Sequence, residues 1–228
     1  MSNSIVIVAF DMDGTLLDGR LVLSLAKLCK VEDKVKGIMS NPRMKGYEKS
    51  LAIARLWKGF NKDIILEALS RINLSDNALD TVKALKSKGC IVGIISDSYT
   101  IATDALARML NMDFSIANTL EYDSNNILTG LIHMPLGWQY INCTCFNSVC
   151  KRYHLERIEH FLANSIKSNI TNKPLRVAIG DSVNDTCMLS IADVSIAYRA
   201  KDGIESIATY SINDLKDVID ILSNNGLI

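Results

Sequence analysis

Ile5-Val6-Ile7-Val8-Ala9-Phe10 is an unbroken apolar run, and Asp11-Met12-Asp13-Gly14-Thr15 follows it directly. Such a run, bounded by polar and turn residues, is typical of a strand buried in a parallel sheet. The two aspartates would then lie at the carboxyl edge of the strand, where open α/β sheets bind ligands. On an extended backbone their side chains share a face, and Gly14 allows a sharp turn behind them. Because carboxylates this close repel each other unless a cation lies between them, the pattern predicts a metal site.

Composition limits the possible classes of protein. The chain has 228 residues, 48% of them hydrophobic and 22% charged, which suits one folded domain or a core with a modest insert. Lys+Arg and Asp+Glu both number 25, so the basic surface of a nucleic-acid-binding protein is not expected. No apolar run reaches the ~18 residues of a membrane helix. The amino terminus lacks a signal-peptide pattern and the six cysteines are interpreted as thiols, so we expect a cytoplasmic protein.

Further apolar runs alternate with stretches of helical periodicity. Strands are predicted at residues 5–10, 91–96, 176–180 and 194–198. Helices are predicted at 77–88, 100–110, 148–163 and 186–192. Residues 117–122 and 128–134 predict a β-hairpin around a polar turn. The alternation indicates an α/β fold with a doubly wound parallel sheet, similar to a Rossmann core.

A helical insert is predicted between the first two strands. Residues 20–72 carry apolar positions at helical spacing in four stretches, too many for a single crossover. We interpret residues 17–76 as a small helical-bundle cap, with 1–16 and 77–228 forming the core. The alternative is that these helices simply cover one face of the sheet. The position of the insert favours a cap that can close over the strand ends.

Three later segments carry residues suited to binding a phosphate and a metal. The second strand ends in Ser96-Asp97-Ser98, where a hydroxyl and backbone N–H groups before a helix can bind phosphate oxygens. Lys151 lies in the first turn of a predicted helix and offers a positive charge. The third strand ends in the segment 180–185, which holds Asp181, Asn184 and Asp185. With Asp11 and the Asp13 carbonyl, this set of oxygens suits Mg²⁺ better than zinc.

These four motifs, in this order, resemble those of the haloacid-dehalogenase-like hydrolases, and most closely the phosphoserine-phosphatase-like branch (subfamily IB). The resemblance covers nearly the whole chain. It implies a phosphatase in which Asp11 attacks phosphorus to form an aspartyl-phosphate, while Asp13 acts as acid and then as base. It further implies Lys151 as a catalytic cation and Mg²⁺ as the cofactor. The metal-site residues are then Asp11, Asp13, Asp181 and Asp185, where Asp185 is either a ligand or the partner that orients Lys151.

The substrate-binding residues implied by the resemblance are Ser96, Asp97, Asn184 and Arg20, and one of them departs from the family pattern. Phosphoserine phosphatases carry an acid at the position of Arg20, where it meets the substrate ammonium. They also carry an insert arginine where this chain has Ala54, although Arg55 is adjacent. Because an arginine repels an ammonium and attracts anions, we expect a small anionic phosphorylated metabolite rather than phosphoserine.

Other functions stay open at this point. A phosphotransferase would pass the phosphoryl group of the same aspartyl-phosphate to an alcohol, and a phosphoprotein phosphatase would act on a protein. A catalytically silent binding protein is a third class, but all four key residues of the mechanism are present: Asp11, Asp13, Lys151 and Asp181. Neither a nucleic-acid nor a membrane partner is expected, and the residues give no indication of oligomeric state.

The resemblance does not explain a group of cysteines near Lys151. Cys143, Cys145, Cys150 and His154 are spaced so that thiolates and an imidazole can hold zinc. The spacing is not that of a standard zinc finger or ribbon. A redox-sensitive pair and ordinary thiols are the two alternatives.

Overall fold

The computed structural model describes residues 4–165, 173–200 and 203–228. Within them, one seven-stranded sheet has the order β4-β3-β2-β1-β5-β6-β7. Every neighbouring pair is parallel except β3–β4, which is antiparallel. The strands are β1 (Val6–Phe10), β2 (Ile91–Tyr99), β3 (Phe114–Tyr122), β4 (Leu128–His133), β5 (Leu175–Gly180), β6 (Val194–Tyr198) and β7 (Tyr210–Ile212). The predicted α/β fold with a parallel core is confirmed.

Four helices lie between β1 and the first crossover helix α5. In chain order the helices are α1 (Leu21–Leu28), α2 (Glu32–Met39), α3 (Gly46–Leu56), α4 (Ile64–Ser70), α5 (Ala78–Ser87), α6 (Thr100–Met109), α7 (Lys151–Ser165), α8 (Thr186–Leu189) and α9 (Asp217–Asn224). The helical insert after the first motif is therefore present. We keep 17–76 as the proposed extent of the cap.

The central strand β1 is buried on both faces, as its uninterrupted apolar run requires. Val6, Val8 and Phe10 belong to one hydrophobic cluster, which also contains residues of α5, α6 and α9. Ile7 and Ala9 belong to a second cluster, built with residues of α7 and α8. Because side chains alternate along a strand, the two clusters lie on opposite faces of the sheet. This arrangement is the doubly wound one.

Several strands and helices begin or end at residues other than those predicted from the sequence. β2 continues through Ser96 to Tyr99, and α6 begins at the next residue, so Ser96 lies within a strand that runs directly into the helix. The strand is prolonged because Tyr99 pairs with Asn118 of β3 after an irregularity in the register. Helix α7 begins at Lys151, three residues later than predicted, and α8 ends at Leu189 rather than 192.

The predicted hairpin forms as β3 and β4, with β3 also joined to the parallel sheet. The two elements at the carboxyl end, β7 and α9, were not predicted. Among the described residues, no helix is both long enough and apolar enough to cross a membrane.

The cap helices are fastened to the core by hydrogen bonds as well as by packing. The indole N–H of Trp57, a fully buried residue, donates to the Tyr99 hydroxyl at 2.8 Å. Ser50 of α3 bonds to the Ser148 hydroxyl at 3.0 Å. Tyr47 donates its backbone N–H to the Phe146 carbonyl at 2.9 Å. Helix α3 thus lies directly above the segment that leads into α7.

Gly93 in β2 is expected to be essential for sheet packing. A Cβ at this position would lie 2.3 Å from the ring of Phe114, so Gly93→Ala forces the two strands apart. We expect it to lower the free energy of unfolding by about 1–3 kcal/mol, measured by urea denaturation. The matched control is Gly37→Ala in α2, where a Cβ meets nothing within 4 Å. It should be neutral or stabilise by up to about 1 kcal/mol. Equal effects of the two changes would contradict the packing at Gly93.

Candidate active site

The first and last motifs meet because their strands are neighbours. β1 and β5 pair in parallel, with Phe10 opposite Ile179. The backbone N–H of Asp11 donates to the Ile179 carbonyl at 2.9 Å, so the pairing continues into the motif. Since parallel strands end at the same edge of the sheet, Asp11 and Asp181 are brought together by topology.

Three buried carboxylates cluster at this edge. Asp11, Asp181 and Asp185 offer oxygen atoms that all lie within 4.8 Å of one another, and none of the three residues is more than 5% exposed. Two glycines make room for them. A Cβ at Gly14 would lie 2.4 Å from an Asp181 oxygen, and one at Gly180 would lie 2.4 Å from the Asp185 carboxyl carbon. The glycines of the motifs therefore let the carboxylates approach the backbone.

Lys151 lies between two of these carboxylates. Its ammonium contacts Asp11 Oδ1 and Asp185 Oδ1, each at 2.5 Å, and the residue is 1% exposed. Burial alone would lower the pKa of Lys151, but Asp11 and Asp185 outweigh it and raise the pKa above its ordinary value. The lysine is therefore positively charged at neutral pH. Lys151, the predicted catalytic cation, is in direct contact with Asp11, the predicted nucleophile.

The second oxygen of Asp185 is also occupied. Oδ2 accepts the backbone N–H of Asp181 at 3.1 Å and that of Ser182 at 3.0 Å. With Oδ1 on Lys151, the carboxylate joins the end of β5 to the start of α7. These contacts favour the orienting role for Asp185 over a purely ligating one.

Asp97 faces the segment before α7. Its Oδ1 accepts the Ser148 hydroxyl at 3.0 Å and the Val149 N–H at 2.9 Å. The side-chain amide of Asn118 donates to the Asp97 carbonyl at 2.6 Å and to the Ser148 hydroxyl at 2.8 Å. Asp97 therefore fixes the backbone of the segment that leads to Lys151. Ser96 is buried, and its hydroxyl accepts the Ser98 N–H at 3.2 Å.

Asp13 is placed at the junction of core and cap. Its Oδ1 accepts the backbone N–H of Leu21, the first residue of α1, at 2.6 Å. Burial raises the pKa of Asp13 to about 6, although the Leu21 N–H, the positive charges of Arg20 and Lys151 and a hydrogen bond from Ser98 all oppose the rise. A carboxyl group that titrates near 6 suits exchange of a proton at neutral pH.

A cavity of about 380 Å³ joins these groups to the cap. All the predicted residues except Asp181 and Asp185 line it: Asp11, Asp13, Arg20, Ser96, Asp97, Lys151 and Asn184. Arg55 is exposed and does not belong to the lining, so it does not take the place of the family arginine.

Sequence reasoning missed several polar residues of this cavity, among them Lys49, Ser50 and Asn147. Lys49 lies on α3 and donates to the Met39 carbonyl at 2.7 Å. Asn147 donates its side-chain amide to the Asn184 carbonyl at 3.3 Å. The helical period of the insert was the available signal for Lys49, because it lies four residues before the buried Ile53 on the same helix face.

The donor set fits a hard divalent cation. The three clustered carboxylates carry three negative charges when ionised, and Lys151 supplies one positive charge, so two negative charges remain. Burial, reinforced by Asp185 and Asp13, raises the pKa of Asp11 well above its ordinary value in spite of Lys151. A divalent cation would balance the remaining charge, and carboxylate and carbonyl oxygens are the ligands that Mg²⁺ prefers.

Comparison with known proteins agrees with this geometry. The family model of haloacid dehalogenase-like hydrolases matches residues 8–190. A phosphoserine phosphatase of Archaeoglobus fulgidus is 30% identical over 91% of this chain, which spans 56% of that relative's length. One from Lactococcus lactis is 27% identical over 95% of this chain and 93% of its own.

Solved structures show the same fold. A phosphoserine phosphatase in its apo form superposes with a TM-score of 0.76 and 25% identity, covering 95% of this chain and 98% of its own. An analogue of the phospho-aspartyl intermediate of a phosphoserine phosphatase gives 0.77 and 24% identity, covering 96% and 99%. With the family match spanning all four motifs, the chain belongs to the haloacid dehalogenase-like hydrolases, among their phosphoserine-phosphatase-like members.

Proposed function

We propose that this chain is a Mg²⁺-dependent phosphoric monoester hydrolase that acts on a small anionic metabolite through an aspartyl-phosphate. The observation that carries the proposal is the buried contact of Lys151 with Asp11 and Asp185, next to Asp181, at the floor of the cavity. A carboxylate held on an ammonium at the carboxyl edge of a parallel sheet is a nucleophile positioned for phosphoryl transfer.

The ion would be held by the carboxylates of Asp11 and Asp181 and by the Asp13 carbonyl, with Asp185 beside them. When bound, Mg²⁺ would neutralise the negative charge on the phosphate oxygens. The lysine ammonium is a second fixed cation for the same oxygens, already held in place by two carboxylates. Because the ammonium is already held in place, little reorganisation is needed when the phosphoryl group is transferred.

The first step forms a bond from an Asp11 carboxylate oxygen to phosphorus, while the ester P–O bond breaks. The leaving alkoxide takes a proton from Asp13, whose raised pKa keeps part of the population protonated near neutral pH. In the second step Asp13 removes a proton from water, and the water oxygen attacks the phosphorus. Phosphate leaves and Asp11 is regenerated.

The size and charge of the cavity support a small anionic substrate. About 380 Å³ under the cap fits a metabolite rather than a folded protein surface. Besides Lys151, the basic residues that line the cavity are Arg20 and Lys49. Cations in the cavity wall attract a carboxylate or second phosphate on the substrate and disfavour an ammonium.

Loss of the nucleophile should abolish turnover. We expect Asp11→Asn to lower phosphate release by about 10⁴-fold or more, and Asp13→Asn by about 10²–10⁴-fold because proton transfer is lost. The assay is inorganic phosphate release with an activated aryl phosphate. The matched control Asp33→Asn lies on the exposed side of α2 and should leave the rate unchanged. Wild-type turnover by Asp11→Asn would overturn the mechanism.

Removal of the metal should stop the reaction reversibly. We expect chelation to abolish activity and added Mg²⁺ to restore it. Asp181→Asn should raise the Mg²⁺ dissociation constant by about 10- to 100-fold or more, measured by titration calorimetry without substrate. Mg²⁺ binding that is as tight in Asp181→Asn as in the wild type would contradict the assigned ligand.

The charge of Arg20 should decide between two matched substrates. We expect the wild type to hydrolyse the deaminated analogue of phosphoserine with a higher kcat/KM than phosphoserine itself. Arg20→Glu should reverse the order, with a change of about tenfold or more in the ratio because a charge on the cavity wall is inverted. Arg55→Glu is the control, since Arg55 lies outside the cavity. A wild-type preference for phosphoserine, unchanged by Arg20→Glu, would refute the anionic-substrate proposal.

A further inference from the structure

Four cysteines converge beside the catalytic cavity, outside the set of residues used above. Cys143, Cys145, Cys150 and Cys187 place their sulfur atoms within 4.8 Å of one another. We refer to them as the four-cysteine cluster. None of them forms a disulfide, and Cys150 and Cys187 are buried while the other two are partly exposed. Chance does not readily bring four thiols, from two separate chain segments, to one point.

The spacing of the sulfurs fits tetrahedral coordination. Zinc binds thiolates at about 2.3 Å, which places the sulfurs of a four-thiolate site about 3.8 Å apart. The observed upper limit of 4.8 Å needs only a small contraction to reach that geometry. A disulfide would use two of the four sulfurs and leave the other two without a role. A tetrahedral set of four thiolates is typical of a structural zinc site.

Backbone donors and one positive charge lie beside the cluster. The backbone N–H groups of Asn147, Tyr153 and Arg152 are near Cys145, Cys150 and Cys187, in that order, and each lowers the pKa of its thiol, although the neighbouring thiols and burial raise those of Cys150 and Cys187 overall. Donors of this kind hold and orient metal-bound thiolates. The Arg152 side chain also lines the cavity that opens onto the cluster. It places a positive charge beside a site that carries a net negative charge when four thiolates bind Zn²⁺.

His154 is not one of the ligands, although its spacing in the sequence allowed it. Its Nε2 lies 3.2 Å from the Leu136 carbonyl, and the residue is not among those that cluster with the sulfurs. The fourth sulfur of the cluster belongs to Cys187, from α8. The spacing in the sequence had pointed to His154 in place of this cysteine.

We propose that the four-cysteine cluster binds one Zn²⁺ ion as a tetrathiolate site that holds the catalytic lysine and its orienting aspartate in register. Cys150 immediately precedes Lys151, and Cys187 follows Asp185 by two residues. A metal bound to both cysteines ties the start of α7 to the start of α8. The four thiols give up their protons on binding, so no oxidant or reductant takes part. The site is separate from the carboxylate cluster, which offers only oxygen ligands.

Metal analysis of the intact chain tests the proposal. We expect one zinc ion per chain after purification without chelators and after dialysis, and its loss in Cys145→Ser and Cys187→Ser. Cys29→Ser and Cys90→Ser are the matched controls, because both are buried cysteines outside the cluster, and they should keep the zinc. Iron in place of zinc, or a full zinc content in Cys145→Ser, would overturn the proposal.

A second measurement needs no variant and therefore does not depend on how the variants fold. Cys143 and Cys145 are partly exposed, so in a metal-free protein they should react with an alkylating reagent. We expect zinc to slow their alkylation by about tenfold or more, followed by peptide mass spectrometry, and a strong chelator to restore it. Equal rates with and without zinc would refute metal binding at the cluster.

Asp11→Asn separates this inference from the proposed function. The variant should contain one zinc ion and lack phosphatase activity. If the wild type also lacks phosphatase activity but contains zinc, the proposed function fails and the zinc site stands. If the wild type is active and contains no zinc after reconstitution, the zinc site fails alone.

Discussion

Burial of a single lysine among carboxylates is the constraint around which this molecule is organised. An ammonium removed from water is unfavourable unless negative groups surround it, and Asp11 and Asp185 do so for Lys151. These three residues come from three distant parts of the chain: the end of β1, the start of α7 and the turn after β5. The strand order of the sheet is what brings these three segments to one place.

The neighbouring contacts serve this arrangement. Asp97 fixes the two residues before Cys150, so the backbone reaches Lys151 in one defined conformation. Gly14 and Gly180 remove the side chains that would keep the carboxylates apart. The four-cysteine cluster joins the same two segments from the other side. The ion pairs, the hydrogen bonds of Asp97 and the four-cysteine cluster thus all act at the starts of α7 and α8.

The sequence was sufficient for the features that depend on local pattern. The apolar run before Asp11 and the acids after β5 identify strand ends, and parallel strands bring such ends together by rule. Features that depend on which strands and segments lie side by side could not be predicted from the sequence. β2 extends past Ser96 because β3 lies beside it, and no residue within 96–99 signals that extension. Cys187 joins the other cysteines only through the order of β5 and β6, so spacing pointed to His154 instead. The helix α9 could have been found, since Val218 and Leu222 are buried at helical spacing.

Lys49 and Asp97 show the same limit within the site. From the sequence, a lysine on an amphipathic helix is expected to be solvated. The fold instead places Lys49 in the lining of the cavity. Asp97 carries the expected chemical group, but its carboxylate is turned toward Ser148 and Val149 rather than standing apart for a ligand. Residue type predicted that both positions are polar. Only the fold shows what each polar group touches.

The hydrogen bond from the Leu21 N–H to Asp13 has a consequence for how cap and chemistry are coupled. Burial raises the pKa of this carboxyl, and the first peptide of the first cap helix is the largest of the contacts that oppose the rise. The proton affinity of Asp13 is therefore set jointly by the strand end that carries it and by the first turn of the helical insert.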